Sequence, residues 1–252
     1  MSGHSKWSTI KHKKAAADAK RGKVFSKIAK EITVAVRQGG GDPNVNITLR
    51  TLVQKARGVN MPADNIDRAI KKGTGELAGE QMEEIVYEGF APGGIAIIAQ
   101  VLTDNRNRSA AEVRHVFTKF NGSLAGQGSV TRSFNRKGWL QVSDDKAQED
   151  TLLEQVLEAG AEDMTHQDGY FEITTAPSEF HAVLNALQEQ GVEVENSELT
   201  LLPESHLPIT DAAQAREFIR FTEALEELED VQNVYSNADL SEELLAELEA
   251  QE

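Results

Sequence analysis

The chain reads as an α+β multidomain protein, with an N-terminal helical domain followed by two α/β sheet domains, one ferredoxin-like and inserted into the other. Three observations predict this. Apolar residues recur at helical spacing through about the first 72 residues. The period changes to that of strands beyond the glycine-rich stretch Gly73 to Gly79. From Trp139 on, strand and helix patterns follow in the order β-α-β-β-α-β, which is the ferredoxin-like motif. The expected domains are 1–77, basic and helical; 78–137 with 204–252, a discontinuous α/β domain; and 138–203, an acidic insertion.

In the helical part, residues 14–20 have good helix propensity, and Gly22 is expected to bend the chain before a helix over 23–38. On that helix Val24, Phe25, Ile28, Ile32, Ala35 and Val36 share one arc, and Lys23, Lys27, Lys30 and Arg37 share the opposite one. Gly39-Gly40-Gly41-Asp42-Pro43-Asn44 stops it. A helix over about 46–57 buries Leu49, Leu52, Val53 and Ala56 and leaves Arg50 and Arg57 together on another side. One over about 62–72 has Pro62 in its first turn and ends Lys71-Lys72-Gly73, a cationic last turn with a glycine stop.

Strands are predicted at about 84–90 and 95–102, joined by a turn at Ala91 to Gly94; the second is apolar throughout, as in a strand buried on both faces. Ser109 with Glu112 forms a capping-box pattern for a helix to about 120, with Val113, Val116, Phe117 and Phe120 as its apolar stripe. A strand is expected around 130–134, where Arg132 is out of keeping with an apolar face, then a basic corner at Arg136-Lys137-Gly138. The insertion follows as strand 139–143, helix 147–159, strands 162–166 and 170–175, helix 178–190 and strand 192–202. In its last strand Val192 and Val194 differ in parity from Leu199 and Leu201, which predicts a bulge or bend near Asn196-Ser197. Asp211 and Gln214 cap a helix over about 211–229; a short strand at 231–235 then needs a sheet, which the strands of 84–137 supply. Leu240, Leu244 and Leu248 stand at helical spacing in the acidic end.

Charge is distributed unevenly. Residues 1–72 carry 16 Lys+Arg against 5 Asp+Glu; residues 139–252 carry 3 against 29, in a chain of formal net charge -15. Such asymmetry suggests a polyanion-binding end and a solvating or partner-facing end. No cysteine is present, which excludes disulfides, thiol chemistry and cysteine zinc sites and suits a reducing cytoplasm. No window approaches a membrane span, so no membrane partner is expected.

The candidate nucleic-acid-binding residues are therefore cationic. Lys6, Lys11, Lys13, Lys14, Lys20, Arg21, Lys23, Lys27, Lys30 and Arg37 would grip phosphates. Trp7 fits either a base-stacking platform or an apolar anchor for the arm. Arg106 and Arg108, just before a capped helix, fit either phosphate binding or salt bridging. His4 and His12 lack carboxylate or thiol company, so no metal and no cofactor is expected. The glycine-rich segments lack the Walker and Rossmann spacings, and no catalytic constellation is evident from spacing, so an enzyme is not expected.

Several motifs carry a resemblance. Gly3-His4-Ser5-Lys6-Trp7, Ile10-Lys11-His12-Lys13-Lys14, Asp18-Ala19-Lys20-Arg21-Gly22-Lys23, Gly39-Gly40-Gly41-Asp42-Pro43, Asn60-Met61-Pro62, Tyr87-Glu88-Gly89 with Pro92-Gly93-Gly94, Thr103-Asp104-Asn105-Arg106-Asn107-Arg108 and Glu112-Val113-Arg114-His115 together resemble the YebC/PmpR family, in order along the whole chain. The resemblance implies a helical domain and two α/β domains, the third inserted into the second. It also implies kinship with bacterial DNA-binding transcriptional regulators, with mitochondrial activators of translation and with proteins linked to the ribosome. The function expected is a non-enzymatic DNA-binding transcriptional regulator. The alternatives are a ribosome-associated RNA-binding translation factor, which would meet ribosomal RNA, and a scaffold whose acidic C-terminal domains hold protein partners.

Overall fold

The computed structural model describes residues 18–78, 81–167 and 169–241, together with Leu244 and Leu248; side chains are described from Gly22 on. The chain forms two compact units. One contains the described chain up to Gln127 and the segment Arg216–Val234; the other contains Gly128–Ala215 and the chain from Tyr235. The boundary expected at residues 77 and 78 falls inside the first of these.

The first unit begins with α1 (Asp18–Gly39), α2 (Ile47–Gly58) and α3 (Ala63–Thr74). Ile28, Ile32 and Val36 of α1 pack with Leu49, Val53 and Ala56 of α2 and with Ile66 and Ala69 of α3. The expected bend at Gly22 is absent: α1 runs through it. One glycine weakens a helix by only about 1 kcal/mol, and Val24, Phe25 and Ile28 hold the following turn on the core.

A single buried asparagine joins α1 to α2. Asn46 accepts from the Leu49 amide at 3.0 Å as the N-cap of α2, and its Nδ2 donates to the carbonyls of Ala35 and Gly40, both at 2.8 Å. Two glycines permit this. A Cβ on Gly39 would lie 2.7 Å from Asn46 Nδ2, and Gly40 takes φ +85, where side chains are strained.

Next come β1 (Glu83–Ala91) and β2 (Ile95–Thr103), an antiparallel hairpin, then α4 (Arg106–Lys119) and the two-residue β3 (Ser123–Leu124). In β2 every residue except Gln100 is buried, as its continuous apolar run requires. The strand expected at 130–134 is instead a single 3-10 turn, Thr131–Ser133, in which Arg132 Nε donates to the Gly128 carbonyl at 2.6 Å.

The second unit follows the order β4 (Phe134–Ser143), α5 (Glu149–Glu158), β5 (Ala161–Gln167), β6 (Tyr170–Thr175), α6 (Phe180–Glu189) and β7 (Asn196–Pro203). The sheet order is β5-β6-β4-β7 with every neighbouring pair antiparallel, which is the split β-α-β arrangement. The basic corner expected at 136–138 lies within β4, which begins five residues earlier than its apolar pattern indicates because Phe134 to Gly138 pair with β7. Val192 and Val194 lie ahead of β7 and pack on the core as loop residues. Of the two expected irregularities the chain takes the bend, at Glu195, and the strand starts directly after it at Asn196, without a bulge.

The chain closes with β8 (Leu207–Ile209), α7 (Ala212–Glu226), β9 (Val231–Ser236) and β10 (Ala238–Leu240). β8 and β10 pair in parallel, so Leu240 belongs to a strand and not to the helical series expected with Leu244 and Leu248. β9 lies beside β2 in the sheet β3-β1-β2-β9, as the sheet-poor tail required. Phe221 of α7 meets Phe117 of α4 edge-to-face, with ring centroids 5.0 Å apart. Among the described residues no helix is long and apolar enough to cross a membrane.

Replacing Asn46 by Ala removes a cap and strands the buried Ala35 carbonyl and the part-buried Gly40 carbonyl. Urea unfolding monitored by circular dichroism should show a loss of about 2 kcal/mol.

Candidate nucleic-acid interface

The cationic side of α1 has neighbours within its own unit. A helix leaves its last carbonyls without partners and carries partial negative charge at that end, and the end of α7 is met by lysines one turn apart. Lys27 Nζ donates to the Glu226 carbonyl at 2.8 Å and Lys23 Nζ to the Glu227 carbonyl at 3.2 Å. Lys30 Nζ reaches Asp230 Oδ1 at 2.8 Å. Three residues expected to grip phosphates thus hold α7 and the turn after it.

Asp230 is the centre of this junction. Its side chain is 2% exposed. Oδ1 receives Lys30; Oδ2 receives Thr103 Oγ1 at 2.9 Å, Ser109 Oγ at 2.7 Å and Arg108 Nη2 at 2.7 Å. Burial pushes the carboxyl pKa up, but the donors from Lys30, Arg108, Ser109 and Thr103 outweigh it and hold the group well below the ordinary carboxylate range. Arg108 also pairs with Asp104 at 2.8 Å, and bonds to both carboxylates raise its pKa. Of the two readings open for Arg108, this geometry is the salt-bridging one.

Two local expectations change here. The cap of α4 is Asn105, which accepts from the Arg108 amide at 3.1 Å, so the helix starts at Arg106. Ser109, expected as the cap, lies inside the helix and is buried against Asp230. The pattern Ser109…Glu112 is a true capping sequence, but Asn105, four residues earlier, offers a cap that also frees Ser109 for the buried carboxylate.

The other expected residues are placed as follows. Lys6, Trp7, Lys11, Lys13 and Lys14 lie outside the described residues. Lys20 and Arg21 fall within α1, and their side chains lie outside the described set. Arg37 is exposed in the last turn of α1. Arg106 is exposed in the first turn of α4; burial raises the pKa of the Tyr87 hydroxyl, and the charges of Arg106 and Arg114 oppose that rise.

A second cationic set emerges that was not among the candidates. Arg50 and Arg57 on α2, and Arg68, Lys71 and Lys72 on α3, are exposed, and among the described residues none of the five makes an ion pair. Spacing already sets Arg50 beside Arg57 and marks Lys71-Lys72 as a cationic turn; Arg68, which precedes these two by three and four, completes the set. Among the described residues no group of three or more His, Asp or Glu is placed to hold a metal ion.

Asp230→Asn should cost about 3 kcal/mol at neutral pH, because it leaves buried donors without their charge partner. The wild-type carboxyl stabilises the fold above its unfolded pKa of about 4 and loses that contribution as pH falls toward its depressed folded value. The asparagine does not titrate. Unfolding curves of the two proteins should therefore differ most near pH 7 and converge below about pH 4.

Known proteins share both the sequence and the fold. The sequence model of the TACO1/YebC protein N-terminal domain matches residues 5–76, and that of the TACO1/YebC second and third domain matches residues 82–238. A probable transcriptional regulatory protein of Treponema pallidum (strain Nichols) is 53% identical over 245 residues, covering 97% of this chain and 100% of the relative. One from Desulfatibacillum aliphaticivorans is 51% identical over 247 residues, covering 98% and 100%. The crystal structure of a conserved hypothetical protein from Aquifex aeolicus superimposes with a TM-score of 0.83 at 49% identity, covering 94% of this chain and 97% of that one. With helical core, first sheet and β-α-β-β-α-β unit all lying within the matched residues, the chain belongs to the TACO1/YebC family.

Proposed function

We propose that the protein is a non-enzymatic regulator that binds nucleic acid through phosphates, acting in the cytoplasm as a DNA-binding regulator of transcription. One observation carries the reading. Arg50, Arg57 and Lys71 are exposed and without ion pairs among the described residues, in the 72-residue stretch that holds 16 of the chain's 26 Lys+Arg. Exposed cations clustered in one part of an acidic chain are the electrostatic footprint of polyanion binding. The names of the relatives, probable transcriptional regulatory proteins, support a regulatory role.

Within this reading the phosphate contacts come from Arg50, Arg57 and Lys71, joined by Lys6, Lys11, Lys13 and Lys14 of the N-terminal stretch. Lys23, Lys27 and Lys30 keep α1 seated on α7 and act as positioning residues. Phosphate contacts carry no base information, so sequence preference has to come from DNA shape or from protein partners on the acidic domains.

The triple variant R50E/R57E/K71E tests this with a labelled duplex DNA. Affinity near 0.1 M salt should fall about a hundredfold, and the slope of log affinity against log salt should become shallower by about 3. Unchanged binding would remove these residues from the interface. Crosslinking in cells, with sequencing of the bound nucleic acid, separates the transcriptional reading from the alternative: promoter DNA upholds it, and ribosomal RNA alone replaces it.

A further inference from the structure

A groove of about 620 Å³ runs between α1 and α3. Phe25 and Ala29 of α1, Ala69 of α3 and Met61 just before it give it apolar lining, beside the polar Ser26 and Thr33 of α1. On the α3 side stand Asn65, Arg68 and Lys72, which share one face of that helix. Arg68 and Lys72 are exposed and make no ion pair among the described residues. At the other end Lys30 is already neutralised by Glu229 and Asp230. Among the described residues, the lining cations without ion pairs therefore stand on the α3 side of a groove of mixed polar and apolar lining.

Gly22 supplies an independent observation. It lies in the wall of this groove and in the interior of α1, where glycine is among the least favourable residues. Its φ is not in the left-handed region, and a Cβ built on it would meet nothing within 4 Å among the described residues. Packing among the described residues thus gives no reason for glycine. What its absent side chain leaves is bare helix backbone facing the groove, the arrangement found where a ligand approaches the main chain closely.

We propose that this groove takes one unstacked nucleotide of a single-stranded nucleic acid. The base lies on the apolar lining beside Phe25 and against the backbone at Gly22, and the phosphate meets Arg68 and Lys72. Asn65 stands between them with a donor and an acceptor for a base edge. The groove is of the size that small ligands occupy, and its apolar lining residues with cations on the α3 side suit a base joined to a phosphate. A carboxylate side chain of an acidic peptide would satisfy the cations and leave the apolar lining uncovered. In a duplex the bases are paired and stacked, so the groove selects single strands. The inference rests on the nucleic-acid reading above and adds a substrate form to it.

Fluorescence anisotropy on the full chain, with labelled dodecanucleotides of single-stranded RNA, single-stranded DNA and duplex DNA, tests it. Gly22→Leu fills the groove while improving helix propensity, so its melting temperature should equal or exceed that of the wild type. It should bind the single strands about tenfold more weakly, with duplex affinity changed less than about twofold. Arg68→Gln should lower the ratio of single-strand to duplex affinity in the same direction. Whichever single strand shows the loss identifies the sugar that the groove accepts. Retention of wild-type single-strand binding by Gly22→Leu would overturn the proposal and leave the regulator reading standing, as would a wild type that binds duplex alone. A wild type that binds none of the three probes would overturn both.

Discussion

A buried carboxylate on a protein is a liability unless every lone pair is used, since desolvating a charge costs several kcal/mol. Asp230 meets that condition with donors from three distant segments: Lys30 on α1, Thr103 at the end of β2, and Arg108 and Ser109 on α4. Each partner lies more than a hundred residues away in sequence. No one of them can be lost without leaving the charge undercompensated. The pose of α1 against the sheet β3-β1-β2-β9 follows from that constraint, and α2 and α3 follow α1 through Asn46 and the shared core.

This division gives the basic residues two physical roles. Lys27 and Lys30 are spent inside the unit, on the negative end of α7 and on Asp230. Arg50, Arg57, Arg68, Lys71 and Lys72 face solvent without ion pairs among the described residues. The two sets answer differently to ionic strength. Partly buried pairs are screened little, whereas exposed charges lose their reach within about 8 Å at physiological salt. On the proposed reading, salt that would strip a polyanion from α2 and α3 leaves the junction at Asp230 intact, so binding and folding would be electrostatically separable.

Much of this fold is written in local pattern. The apolar arc of α1, the apolar run of β2 and the cap at Asp211, which accepts from the Gln214 amide at 2.8 Å, all follow from spacing that short-range geometry enforces. What spacing does not carry is the identity of a polar face's partner. The arc of Lys23, Lys27 and Lys30 looks the same whether it meets phosphate or the end of α7, and that helix end lies some 200 residues downstream. Gly22 misled for a related reason: propensity is a weak local term, and the core contacts of Val24, Phe25 and Ile28 override it. Ser109 with Glu112 reads as a capping box, yet Asn105 caps the helix and Ser109 lies within it against the buried carboxylate, a partner that spacing does not reveal. For the candidate site, charge counting points to the N-terminal third of the chain, but which of its cations are engaged inside the unit depends on Asp230 and the end of α7, far away in sequence.

On the proposed reading, exposed cations of α2 and α3, and not the seated lysines of α1, meet the polyanion. Lysine acetylation followed by mass spectrometry, with and without bound nucleic acid, distinguishes the two sets. Lys71 and Lys72 should react quickly in the free protein and be protected in the complex, while Lys27 and Lys30 react slowly in both. Fast reaction of Lys27 and Lys30 in the free protein, with protection on binding and no change at Lys71 and Lys72, would contradict it.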